Sequence, residues 1–155
     1  MRAIRVSTLL LAQIACAHGP TTQATPRDAT TVNASFERTW SAVIDAFAER
    51  NIPIATIDKT SGLIATRPLA VAAPEDTVRT WVDCGNAWGV YKFAYAEYNV
   101  LVRGDSVRST VKVSAAWNFQ ESMGMFGEHK GSCVTKHVWE QAAEADIKAR
   151  AERLR

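Results

Sequence analysis

Three cysteines and three histidines carry most of the chemistry this chain could offer. With Cys16 assigned to the N-terminal segment, Cys84 and Cys133 remain as an even pair. A bridge between them closes a loop of 49 residues, which on chain-entropy grounds stabilises by about 4 kcal/mol before strain. The competing chemistry is a Cys2His2 zinc set drawn from Cys84, His129, Cys133 and His137. In it, Cys133 and His137 stand four residues apart at a helix start. Neither Cys84 nor His129, however, sits in a paired C-x-x-C or H-x-x-x-H motif. The pair is therefore read as a disulfide, with no metal and no cofactor expected. A hydrolase needs a nucleophile, a base and oxyanion donors. The chain has no Gly-x-Ser-x-Gly, and the bridge leaves no Cys–His pair. Asp83 beside Cys84 and Glu128 beside His129 read as solvated loop charges, so no catalytic residue is assigned and the chain is read as non-enzymatic.

Two further groups could make contacts. Of the five tryptophans, Trp40, Trp117 and Trp139 fall on core-facing positions. Trp81 and Trp88 flank Cys84, where they either line a groove for a peptide or glycan or simply bury the bridge. Met123, Met125 and Phe126 lie among the glycines of residues 121–131. That segment reads as an apolar loop, either a tip for a partner or lipid or one folded onto its own sheet.

The elements that must position these residues occupy one domain, since 155 residues are too few for two well-cored ones. Hydrophobic residues make up 47% and charged residues 22%, a globular composition. The net charge of +2 resides in Arg2 and Arg5, and the remainder balances at 16 basic and 16 acidic residues. That argues against a nucleic-acid binder, which needs a basic surface. No apolar run reaches the roughly 18–20 residues of a spanning helix.

The two arginines precede the apolar run from Val6 to Ala12, and small residues flank Cys16 in Ala15-Cys16-Ala17. This is the grammar of an export signal. Gln13-Ile14-Ala15-Cys16 resembles a bacterial lipobox, which implies that Cys16 is lipidated (palmitate among the acyl chains) and becomes the new N-terminus. Gln13 departs from the motif's aliphatic residue, and plain signal-peptidase cleavage after Ala15-Cys16-Ala17 is the alternative. Residues 1–15 are read as a signal peptide and 16–30, rich in Thr and Pro, as a lipid-anchored flexible tether. A single domain covers 31–155.

Within it, Phe36, Trp40, Val43, Ile44 and Phe47 form one helical face. Ser35 is its N-cap, and Asn51 before Pro53 ends it. Ile52–Asp58 and Leu63–Thr66 read as strands joined by Lys59-Thr60-Ser61-Gly62. The stretch 67–76 reads as a surface loop. Phe93–Arg103 places Ala94, Ala96, Tyr98, Val100 and Val102 on one face. After Gly104-Asp105, the residues Val107, Val111, Val113, Ala115, Trp117 and Phe119 alternate with polar ones, as in a sheet covered on one side. A last helix from about Thr135 sets Val138, Ala142 and Ala145 beside Trp139, Ala143 and Ile147. The expected fold class is α+β: an antiparallel sheet of four to five strands with two helices on one face, in the order β-α-β-β-β-β-α.

Phe36-Glu37-Arg38-Thr39-Trp40, Val43-Ile44, Ile52-Pro53-Ile54 and Asp58-Lys59-Thr60-Ser61-Gly62-Leu63-Ile64 together resemble the domain of the BamC lipoproteins. These are accessory components of the outer-membrane β-barrel assembly machinery. The resemblance covers residues 31–67 and loosely the final helix, and it implies a helix-grip fold. The region of Cys84-Gly85 and Cys133 is similar to single-domain envelope lipoproteins, for which no reaction is implied. The expected function is thus that of an envelope lipoprotein, exported and lipid-anchored at the outer membrane facing the periplasm. It would act as an interaction module with an envelope protein partner and no nucleic acid. The alternatives are a small-ligand or lipid carrier using a helix-grip cavity, and a cell-wall hydrolase.

Overall fold

The computed structural model describes residues 24–85, 90–122 and 124–153. Cys16, the signal segment, Trp88 and Met123 lie outside the described residues. In chain order the elements are β1 (Thr30–Val32), α1 (Phe36–Glu49), β2 (Ile54–Asp58), β3 (Leu63–Thr66) and β4 (Leu69–Ala70). They continue with α2 (Glu75–Trp81), β5 (Val82–Asp83), β6 (Val90–Gly104), β7 (Ser109–Ser122), β8 (Glu128–Thr135) and α3 (Val138–Arg153).

The α1 helix follows from local rules. Ser35 Oγ accepts the Arg38 N–H at 3.4 Å, Glu37 stands in the first turn where the helix dipole favours it, and Asn51 takes a left-handed φ of 53° after the last turn. The face that the spacing predicts is the one buried, and Trp40 stacks on Phe36 with ring centroids 5.7 Å apart. The turn between β2 and β3 needs Gly62, whose φ of 65° is costly for a residue with a Cβ.

The sheet is antiparallel and runs β2-β3-β6-β7-β8-β5, with β1 beside β7 and β4 beside β6. The long β6–β7 hairpin is its spine, pairing from Val90↔Ser122 to Gly104↔Ser109. Ala96, Tyr98, Val100 and Val102 pair with Trp117, Ala115, Val113 and Val111 and form the floor of the core. Helices α1 and α3 lie side by side on that floor. Tyr98 stacks on Trp139 at 4.0 Å and meets Trp117 edge-on at 6.2 Å.

The α+β class stands, but among the described residues the sheet has eight strands instead of four to five, and there are three α-helices instead of two. Strands β1, β4 and β5 have only two or three residues, too few to show a period. The expected loop at 67–76 holds β4 and the start of α2. The expected loop at 121–131 is the end of β7, a 3-10 turn at Gly124–Phe126 and the start of β8. Within that turn Met125 is 91% exposed, so it does not fold onto the sheet. Val107 is 75% exposed in the β6–β7 turn, where the backbone has not yet begun to pair. On α3 the face is rotated: Val138, Ala142 and Ala145 are exposed, and the buried positions include Glu140 and Glu144. Those two glutamates turn inward because donors await them there.

Candidate functional site

Strand β5 pairs Val82 with Thr135 and Asp83 with Val134 of β8. The next residue, Cys84, is thereby carried to Cys133, and the two form a disulfide with Cα atoms 4.1 Å apart. The bridge pins the segment after α2 to the sheet. Trp81, the last residue of α2, packs on Trp117 at 6.0 Å. Lys136 gives its N–H to the Trp81 carbonyl at 2.8 Å and its Nζ to the Arg79 carbonyl at 2.7 Å. These bonds satisfy acceptors that a helix end leaves open.

Held this way, α2 stands off the sheet and leaves a cleft of about 150 Å³. Val71, Ala73, Val78 and Val82 form one wall, Ala94 and Phe119 line it from the sheet, and Cys84 of the bridge borders it. Four charged side chains reach it: Glu75, Arg79, Asp83 and Lys136. Glu75 and Arg79 are paired at 2.7 Å one turn apart on α2, and Asp83 Oδ1 accepts the Gly85 N–H at 2.9 Å. Phe119 also covers Gly131 across the β7–β8 pair, where any Cβ would collide with its ring.

The histidines do not join the two sulfurs. His129 Nδ1 lies 2.7 Å from the buried carboxylate of Glu121, its cross-strand partner, and its ring meets Phe119 edge-on at 5.5 Å. The neighbour that orients His129 is thus Glu121, eight residues away, and not the adjacent Glu128. His137 has a φ of 62°. Its Nε2 lies 2.9 Å from the Thr25 carbonyl and its Nδ1 lies 3.7 Å from Glu140. Among the described residues no group of three or more His, Cys, Asp or Glu is placed to hold a metal ion.

A polar cluster invisible in the sequence pattern lies under α3. The edge of β7 is left open between β1, which pairs at 109–111, and β8, which pairs from 117 onward. Glu144 fills this gap. Its carboxylate accepts the Val113 N–H at 2.7 Å, the Thr30 hydroxyl at 2.6 Å and the Arg27 guanidinium at 2.6 and 2.7 Å. Arg27 in turn donates to the Val113 carbonyl at 3.2 Å. The pair therefore takes the place of a strand residue, and the hydrogen bond to Glu144 raises the Arg27 pKa. Residues 24–30, the end of the expected tether, thus meet the body at Arg27, ahead of the expected start at Thr31. Nearby, Glu140 accepts the Thr135 hydroxyl at 2.5 Å. Burial, followed by the charge of Glu140, pushes the Tyr98 phenol well above its ordinary pKa.

No family model and no curated protein matches the chain.

Proposed function

We propose that the chain is an exported, non-enzymatic envelope lipoprotein, anchored through Cys16 and acting as an interaction module at the outer membrane, facing the periplasm. The observation that carries this reading is the Cys84–Cys133 bridge. Thiols are kept reduced in most cytosols and oxidise on export, and the bridge accompanies the Arg2, Arg5, apolar run and Cys16 of the N-terminus. The bridge also shapes the one region where α2 stands off the sheet, so oxidation and the candidate contact surface belong to one feature. We read the pair of helices α1 and α3 on one sheet face as a helix-grip arrangement, the fold that the BamC-like resemblance of residues 31–67 implies. Met125, exposed on the β7–β8 turn, offers a second apolar contact.

A second reading, a small-ligand carrier, is favoured by the cleft beside α2. Its volume of about 150 Å³ suits one ring-sized group and is small for a lipid.

Anchoring is tested by Cys16→Ser. The wild-type protein is expected in the membrane fraction with incorporated fatty acid, and the variant in the soluble fraction without it. A wild-type chain with an unmodified N-terminus at His18 would overturn the anchor. The module reading is tested with a photocrosslinking residue at position 79, on the rim of the cleft. It is expected to give one discrete adduct with an envelope protein in intact cells. Failure of any adduct to form there and at position 125 contradicts that reading.

A further inference from the structure

We infer that the cleft between α2 and the sheet binds a small organic monocarboxylate bearing one apolar group of about the size of a phenyl ring. The inference rests on the cleft alone and is independent of whether Cys16 is lipidated.

The apolar requirement comes from the walls. Val71, Ala73, Val78 and Val82 face Ala94 and Phe119 across about 150 Å³. A space of about that size is large enough for one ring, and the remainder of the lining is polar. The sulfur of Cys84 adds polarisable surface beside the ring position. A long acyl chain does not fit, and a ligand gains from the apolar walls only through an apolar group.

The charge requirement comes from the rim. Glu75 and Arg79 neutralise each other at 2.7 Å. Lys136 differs: its Nζ donates to the Arg79 carbonyl at 2.7 Å, and among the described residues it forms no ion pair. An ammonium has three donors, so two remain for an anion at the mouth of the cleft. Such a charge-assisted bond is stronger than one between neutral groups. Asp83 on the same rim disfavours a second negative charge on the ligand, which selects a monoanion over a dianion. The position of Lys136 is itself fixed. Its backbone N–H is bonded to the Trp81 carbonyl, and the strand before it is joined to the cleft wall by the bridge.

Phenylacetate is a direct probe, with acetate, benzylamine and benzyl alcohol as comparisons. The full exported chain, oxidised and at low ionic strength, is titrated while amide resonances are followed by NMR. Phenylacetate is expected to shift the amides of Val78, Val82, Gly85 and Ala94 saturably. Benzyl alcohol is expected to bind at least about tenfold more weakly, and acetate and benzylamine to give no saturable shift. Lys136→Met, which keeps the backbone bond to the Trp81 carbonyl and gives up the Nζ bond to the Arg79 carbonyl, is expected to weaken phenylacetate at least about tenfold and benzyl alcohol less than about twofold. Val78→Phe, which fills the cleft, is expected to abolish both; its fold is checked by the remaining amide pattern. No saturable binding of phenylacetate overturns the inference. So does binding of benzylamine as tight as that of phenylacetate, or unchanged affinity in Lys136→Met.

Discussion

At the scale of single residues, the two most consequential side chains are a buried glutamate and the partly buried arginine that pairs with it. Glu144 is 1% exposed and is held by Arg27, Thr30 and the Val113 N–H. Removing one partner of such a pair leaves an uncompensated charge, which costs about 3–5 kcal/mol. Arg27→Met is therefore expected to lower stability by about 3 kcal/mol in urea unfolding. Arg27→Met with Glu144→Gln is expected to recover part of that loss, because the amide keeps its bonds to Thr30 and Val113. Equal losses in the single and double variants would mean that the charge is not what matters. Acid stability is a second prediction at this scale. Asp58 accepts from the Ser61 hydroxyl and N–H, and Asp105 from the Arg108 and Val107 N–H groups, which lowers both carboxyl pKa values. A lowered folded-state pKa stabilises above the unfolded value of about 3.9, and that contribution is lost as pH falls through the folded-state value. The melting temperature is thus expected to fall below about pH 4. Asp58→Asn with Asp105→Asn is expected to flatten that slope. These turn aspartates were legible, since Asp before Gly62 and after Gly104 is local turn chemistry. Arg27 and Glu144 were not, because their partnership spans 117 residues and no spacing rule reaches that far.

At the scale of elements, α1 and α2 are held by different forces. The α1 helix carries its own cap, stop and apolar face, so its bounds follow from the sequence to within a residue. Trp40 is the centre of that face, 5% exposed and stacked on Phe36. Trp40→Ala is expected to cost about 3–5 kcal/mol in chemical unfolding, and a loss below about 1 kcal/mol would contradict this packing. The α2 helix has seven residues and no side-chain cap, too short to persist alone. It depends on the bridge, on Trp81 against Trp117 and on the bonds from Lys136. Cys84→Ala with Cys133→Ala is expected to cost about 4 kcal/mol overall. Hydrogen exchange should rise first in α2 and β5. Exchange rising uniformly over the whole sheet would place the role of the bridge elsewhere. The dependence on tertiary contacts is also why 67–76 reads as loop in the sequence. In β8, Glu128 to Thr135 shows no apolar alternation, because Gly131 stands where a core side chain belongs and Phe119 covers it instead.

At the scale of the molecule, the long hairpin of β6 and β7 was the most legible part, since five apolar positions at period two mark one covered face. The full extent of the sheet was not, because β4 and β5 have two residues each and complete edges that only the assembled sheet creates, while the eight residues of β8 carry no apolar alternation. The candidate cleft lay beyond sequence reasoning for the same reason: its walls come from residues 71 to 119, and only the cystine was foreseen. Peptide mapping of the non-reduced protein isolated from membranes tests export, anchoring and that cystine together by mass spectrometry. The expected result is a Cys84–Cys133 linked peptide together with an N-terminal peptide that begins at a lipid-modified Cys16. Free thiols at positions 84 and 133, with an unmodified N-terminal peptide, would contradict it.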